Sequence, residues 1–157
     1  MNIHCCKVCW NVYKSDTEGD GCYLVSCLGE IISIDEGLLR TCEILNDKGY
    51  FTRFCCSGHT WQRYPRTYVQ FALACAFKTL PRGFELLTRY NPHAKAKIST
   101  ISKSFSRELS KVELQLELFQ AARDLLEWAD SLESFDKEYG FVAADDSSAE
   151  ICSTKGV

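Results

Sequence analysis

Hydrophobic and polar positions change their spacing several times along the chain, and each spacing predicts one kind of element. Two segments rich in β-branched and aromatic residues, 50–56 and 67–76, predict strands that pair as antiparallel neighbours. The alternation in 97–103 predicts a further strand, whereas 84–90 fits either a short helix or a strand. The polar connection 57–66 is long for a plain hairpin, so we expect it to be a functional loop.

Two other segments have the spacing of helices. Asp35 suits an N-terminal cap, and apolar residues then recur every three or four positions until Gly49, which predicts a short helix. Residues 106–135 predict a long amphipathic helix with an acidic outer face. Its expected apolar stripe consists of Leu109, Val112, Leu116, Phe119, Arg123 and Leu126, widened by Leu118, Leu125, Ala129 and Leu132.

These elements predict an α+β fold with a small mixed or antiparallel sheet, one short helix and one long C-terminal amphipathic helix. Residues 1–30 are expected to form a cysteine-rich N-terminal module. Residues 23–34, which overlap its end, predict one or two short strands. Residues 31–135 would then be an α+β ligand-binding domain. Residues 136–157 are acidic and largely patternless, which predicts a mobile tail.

The cysteines are numerous, with ten in 157 residues. Because no secretory signal or membrane span is visible, we expect a cytoplasmic protein whose cysteines are thiols, metal ligands or buried residues. Cys6 and Cys9 form a C-x2-C pair, and Cys22 with Cys27 would complete a closed, structural zinc site. His4 and Cys5 are substitutes for these ligands, and ordinary buried thiols are the alternative to metal.

Charge is distributed unevenly around a net value of −3. Residues 53–111 carry 11 basic and 2 acidic side chains, whereas 112–157 carry 3 basic and 11 acidic ones. The middle of the chain is therefore a candidate anion-binding surface. Alternatively, it packs beside the acidic C-terminal helix.

The loop after the strand 50–56 contains the residues most suited to binding an anion. Small residues at a strand end let backbone amides converge on a negative group, arginines clamp phosphate, and aromatic rings stack on a base. The candidate ligand-binding residues are Arg53, Cys56, Ser57, Gly58, His59, Trp61, Arg63, Tyr64 and Arg66. The alternative is a plain turn whose cysteine and aromatic residues pack inward.

The run IDEGLLRTCEILNDKGYFTRFCCSGHTW resembles a group of small, largely uncharacterised phage and bacterial proteins with a cysteine-rich head and the pattern L-N-x-K-G-Y-x-T-x-(F/Y)-(C/S)-C-S-G-H. The matching residues are Leu45, Asn46, Lys48, Gly49, Tyr50, Thr52, Phe54, Cys56, Ser57, Gly58 and His59. Heads of that group have two C-x2-C pairs, whereas this chain has four residues between Cys22 and Cys27.

The same run more faintly resembles the wybutosine-synthesis tRNA methyltransferase family, over roughly 30 residues. Asn46, Thr52 and the Cys56-Ser57-Gly58 segment align with it, but His59 stands where that family has arginine. That resemblance implies S-adenosylmethionine and tRNA as ligands.

The favoured function is a non-catalytic binding protein that holds an anionic, nucleotide-like small molecule in the 57–66 loop. The first resemblance implies a phage protein that sequesters a host defence signal in the host cytoplasm. One alternative is an S-adenosylmethionine-dependent tRNA-modifying enzyme, with Cys56 as nucleophile and His59 as base. The other is an oligomeric interaction module built on the long helix. We expect a homo-oligomer without membrane contact, and nucleic acid is a less favoured partner.

Overall fold

Two antiparallel sheets and two α-helices form the parts of the chain described by the computed structural model, residues 2–7, 12–13 and 31–135. The smaller sheet has the strand order β2–β1–β3, with β1 at Asn2–Cys6, β2 at Val12–Tyr13 and β3 at Ile31–Asp35. The larger has the order β4–β5–β7–β6, with β4 at Thr52–Cys56, β5 at Arg66–Phe71, β6 at Glu85–Asn91 and β7 at Ala96–Ser104.

Along the chain, one α-helix precedes the strands of the larger sheet and the other follows them. A 3-10 helix at Glu36–Leu38 leads into α1 at Leu39–Asp47, and α2 spans Lys111–Ser131. The predicted α+β class is confirmed, with an antiparallel four-stranded sheet, one short helix and one long C-terminal helix. The antiparallel pairing of β4 with β5 is confirmed as well, and the ambiguous segment 84–90 is a strand.

The predicted cysteine-rich module stays a prediction. Its expected zinc ligands Cys9, Cys22 and Cys27 lie outside the described residues, as does the predicted tail 136–157. Cys6 is the last residue of β1. Cys5, next to it, is fully buried and belongs to the same core cluster as Leu38 and Cys42. Strand β1 therefore contributes to the hydrophobic core that the residues from 31 onwards form.

The larger sheet has one covered and one open face. Val69, Phe71 and Ile101 are fully buried in the cluster that includes the inner residues of α2. Because side chains alternate between faces, Tyr68 and Gln70 on β5 lie on the opposite face. Neither is fully buried, so this face is open among the described residues.

The face of α2 that packs on the sheet differs from the main predicted stripe, although Leu118, Leu125 and Ala129, which are predicted to widen it, are buried as expected. Three predicted core residues, Val112, Leu116 and Phe119, are 70%, 63% and 61% exposed. The buried residues are Leu114, Leu118, Ala121, Leu125, Trp128 and Ala129. Both sets have helical spacing and lie on opposite sides of the helix, since a shift of two residues rotates a position by about 200°. Periodicity could not choose between them.

The helix begins at Lys111 rather than at 106, because Ser110 is its N-cap. The Ser110 hydroxyl accepts a hydrogen bond from the Glu113 amide, and the Glu113 carboxylate accepts one from the Ser110 amide. These bonds lower the pKa of Glu113 below its usual value.

The turn from α1 to β4 is fastened to the end of α2. Lys48 Nζ donates to the carbonyls of Ala129, Asp130 and Leu132 at 3.0, 2.6 and 2.6 Å. The Tyr50 hydroxyl donates to the Glu133 carbonyl at 2.7 Å, and burial raises the pKa of Tyr50 to about 12. These bonds add donors to carbonyl groups at and just beyond the end of α2, where the regular intrahelical pattern stops.

Candidate functional site

The buried carboxylate of Asp35 joins β3 to the loop after β4. Asp35 is 3% exposed and caps the 3-10 helix by accepting from the Gly37 amide at 3.2 Å. It also accepts from the amide and the hydroxyl of Ser57, at 3.0 and 2.8 Å. The predicted capping role of Asp35 is confirmed, but its contacts with the loop were not anticipated.

His59 lies beside the same carboxylate. Its Nε2 is 3.4 Å from Asp35 Oδ2, and its amide donates to Gln62 Oε1 at 3.1 Å. The imidazole stacks on the Trp61 indole with 5.1 Å between ring centres and 4° between planes. Because Trp61 is 80% exposed, it covers His59 from the solvent side without joining the core.

Cys56 completes this group of side chains. Its Sγ accepts from the Gly58 amide at 3.4 Å and from Gln62 Nε2 at 3.8 Å. One ligand atom from each of Asp35, Cys56 and His59 lies within 4.8 Å of the others. Among the described residues, this is the group of such side chains that could hold a metal ion. We call it the Asp-Cys-His group.

The predicted anion loop is internally bonded. The amides of Ser57, Gly58 and His59 donate to Asp35, Cys56 and Gln62 respectively. Gly58 is buried with φ of +85°, and a Cβ there would lie 2.4 Å from a Leu118 methyl group and 3.0 Å from the Arg66 carbonyl. Glycine is therefore required where the loop passes α2.

A pocket of about 340 Å³ opens beside this loop. Its described lining includes the carboxylates of Asp35 and Glu36, the hydroxyl of Thr60 and the side chain of Gln115. No arginine or lysine of the described residues lines it.

The arginines predicted for this loop lie in three different places. Arg53 lies over the Phe54 ring at 5.4 Å, and Arg63 over the Tyr64 ring at 5.5 Å. Tyr64 also has Arg107 over it, at 3.7 Å. Arg66 lies over Tyr68 at 4.8 Å, on the open face of the larger sheet. Arg53, Arg63 and Arg66 lie close to the loop in the sequence, but none of them lines the pocket beside it.

That open face holds a second pocket, of about 460 Å³, which we call the sheet pocket. Its basic residues are Arg66, Arg89 and His93, and its aromatic residues are Phe54, Tyr68 and Tyr90. None of the described residues that line it is acidic. Sequence analysis missed Arg89, Tyr90 and His93, because they come from β6 and the turn after it. The basic balance of 53–111 was the one signal that included them.

Cys55 on β4 and Cys42 on α1 form a hydrogen-bonded pair of thiols. Cys42 is fully buried, whereas Cys55 is half-buried and lines a pocket of about 290 Å³ together with Lys7 and Arg53. The hydrogen bond from the Cys42 thiol lowers the pKa of Cys55, and the same bond, with burial, raises that of Cys42. The first thiolate to form in this pair is therefore that of Cys55.

No family model, curated protein or solved structure matches this chain. The function is therefore argued from the chain's own geometry. Among the described residues, no helix combines the length and the apolarity that crossing a membrane requires.

Proposed function

We propose that this chain is a non-catalytic binding protein for an anionic, nucleotide-like ligand, and that the ligand lies in the sheet pocket. The observation that supports this most is the lining. It combines two arginines with three aromatic side chains, and no acidic residue is among its described members. Guanidinium groups pair with phosphate in a two-pronged geometry, and aromatic rings stack on bases of any identity.

The size and rigidity of the sheet pocket fit this function. Its volume of about 460 Å³ falls within the range of small-molecule sites. Arg66, Tyr68 and Arg89 lie on paired strands, which hold side chains more firmly than a loop does. Arginines and rings supply affinity without a nucleophile or base, as a protein that sequesters a ligand requires.

The strand register favours a ligand with two separated anionic groups. Arg66 pairs with Ser104 and Arg89 with Ile98, both across β7. These partners are six residues apart on one strand, roughly 20 Å at about 3.3 Å per residue. Arginine side chains that reach inward from both ends of this span would contact two phosphates of one ligand more readily than a single phosphate. A phage origin, which the resemblance implies, would make a host defence signal of this chemistry a sensible target.

Calorimetric titration with a linear dinucleotide, a cyclic dinucleotide and a mononucleotide tests the proposal. We expect one ligand per site, tighter binding of the dinucleotides, and intact ligand when the complex is extracted. Arg66→Gln and Arg89→Gln should each weaken binding at least tenfold, because each removes a charged contact of about 1.5–3 kcal/mol. Arg82→Gln, at an exposed turn outside the pocket, is the matched control. Absence of binding, or recovery of a converted product, would overturn the proposal.

We also propose that the chain forms a homo-oligomer through α2. Val112, Leu116 and Phe119 form an exposed apolar stripe at helical spacing, opposite the face that packs on the sheet. A second copy would remove this stripe from water. Light scattering should give a multiple of 17.8 kDa that falls to one chain in Leu116→Glu. A wild-type monomer would contradict this.

Zinc at the N-terminal cysteines also stays a proposal. Thiolate ligands suit zinc, and four of them would make a closed structural site. Metal analysis of the purified chain, compared with a Cys6→Ser, Cys9→Ser double variant, tests it. We expect the double variant to contain one zinc ion fewer per chain.

A further inference from the structure

The Asp-Cys-His group has the composition of a transition-metal site and lies apart from the predicted N-terminal zinc ligands. Its three members come from two regions of the chain, the end of β3 and the segment where β4 passes into its loop. Cys56 and His59 are separated by two residues, a spacing that turns two side chains towards one ion. Asp35 is the last residue of β3.

The hydrogen bonds around the group are those that support metal ligands. Cys56 Sγ accepts two weak N–H···S bonds, one from the backbone and one from Gln62. Donors of this kind stabilise negative charge on a ligating sulfur, and bonds to a ligating carboxylate fix its orientation. Asp35 has three such donors, from Gly37 and from the amide and hydroxyl of Ser57. The Asp35 carboxylate is therefore held before any ion arrives, and the Cys56 sulfur is oriented by its two donors.

Charge balance also favours a cation at this position. Asp35 is 97% buried, and His59 is its one ion-pair partner among the described residues. A buried carboxylate requires a compensating charge. A divalent ion coordinated by a carboxylate, a thiolate and a neutral imidazole leaves no net charge on the group.

We propose that Asp35, Cys56 and His59 bind one zinc ion and leave its fourth coordination position open to the 340 Å³ pocket. Zinc bonds of about 2.0–2.3 Å place tetrahedral ligands roughly 3.3–3.8 Å apart. The widest separation in the group is at most 4.8 Å, so closure requires movements of about 1 Å. Asp35 Oδ2 and His59 Nε2 already have such a separation, 3.4 Å, so the adjustment falls on Cys56 Sγ, whose N–H···S bonds are weak.

The chemistry of the ligands selects the ion. Thiolate and imidazole favour zinc or cobalt over magnesium or calcium, which prefer oxygen. Three protein ligands and one open position differ from the closed, four-ligand arrangement of a structural site. The open position would bind water or an anionic group of a small molecule. An anion at this loop would then be held by the metal, because the loop amides already have acceptors within the protein.

Cobalt titration of the full-length, chelator-treated protein tests this proposal. We expect tetrahedral d–d absorption and a thiolate-to-cobalt charge-transfer band from the wild type. Cys56→Ser and His59→Gln should each bind one metal equivalent fewer than the wild type does. Cys75→Ser, which replaces another half-buried cysteine outside the group, is the matched control and should bind as the wild type does. Because the N-terminal cysteines are intact in all four proteins, any zinc they hold cancels in the comparison.

Equal metal content in all four proteins would overturn the proposal. If Cys56→Ser fails to fold, His59→Gln still tests the proposal. It alters a loop residue, and the same loss of one metal equivalent is expected from it. Ser57→Ala removes one hydrogen bond to Asp35 and should weaken cobalt binding by about 10–100-fold while it keeps the thiolate band. Dinucleotide binding at the sheet pocket is measured separately, so either proposal can fail without the other.

Discussion

Asp35 accepts two hydrogen bonds from Ser57, which lies 22 residues further along the chain. The first residue of the loop after β4 is thereby tied to the last residue of β3, although the two strands belong to different sheets. A residue that caps a helix locally also determines where a distant loop lies.

This tie predicts a large loss of stability when the carboxylate is removed. Asp35→Ala leaves three donors without their acceptor in a buried site and should lower the free energy of unfolding by about 3 kcal/mol or more. Ser57→Ala removes one hydroxyl bond and should cost about 1 kcal/mol. Urea unfolding in the presence of a chelator measures both without any contribution from metal. Equal losses in the two variants would show that the bonds to Asp35 contribute little.

Gly58 and Gly83 form a matched pair for testing how closely the loop approaches α2. Both have positive φ, +85° and +76°, so alanine is strained at either position. At Gly83 the nearest atoms belong to the flexible Lys103 side chain, whereas at Gly58 they include the backbone carbonyl of Arg66. We expect Gly83→Ala to cost about 1 kcal/mol and Gly58→Ala at least about 2 kcal/mol more, measured by chemical denaturation. Similar costs would contradict the close approach.

Lys48 should stabilise the end of α2. Lys48→Met keeps the apolar part of the side chain but removes three bonds to helix-end carbonyls, and we expect a loss of about 1–2 kcal/mol. Hydrogen exchange should also become faster in the last turn of α2. Lys78→Met, at an exposed position, is the control and should leave exchange in that turn unchanged.

The thiol pair predicts a difference in reactivity. The pKa of Cys55 is lowered by the hydrogen bond from Cys42, so its alkylation by iodoacetamide should reach half its maximal rate below about pH 8.5, the ordinary value of a cysteine. As pH rises, Cys55 should react well before Cys42, whose pKa is raised. Tandem mass spectrometry assigns the modified residue. In Cys42→Ala the midpoint for Cys55 should move to higher pH, and an unchanged midpoint would exclude the hydrogen bond as the cause.

Part of this fold follows from local patterns. Asp35 caps the helical segment as predicted, Gly49 adopts positive φ after α1, and β4 pairs with β5. Several motif residues that carried the family resemblance have structural contacts. Asn46 Nδ2 donates to Thr52 Oγ1 at 2.7 Å, and Lys48 and Tyr50 bond to the end of α2. The Asn46–Thr52 bond closes a short turn, so its partners can be placed from sequence, whereas the bonds of Lys48 and Tyr50 to α2 cross more than 80 residues and depend on the fold.

The candidate site could be predicted only in part. Ser57, Gly58 and His59 do surround one pocket, as their adjacency indicated. The position of Asp35 at that pocket depends on strand order and register, and so does the presence of Arg66 and Arg89 in the same sheet pocket. The spacing of residues in one sequence does not reveal strand order or register, because a strand from any distance along the chain can lie between two others in a sheet.

By itself, the sequence determined most element types, although not that of 84–90, and it determined the antiparallel hairpin of β4 and β5 and the cap of the first helix. These features depend on interactions between residues close in the chain. Only the tertiary structure decided which side of α2 is buried, which loop Asp35 binds and where each arginine lies. Those outcomes depend on how whole elements pack, and two faces of one helix can have the same periodicity while only one of them meets the sheet.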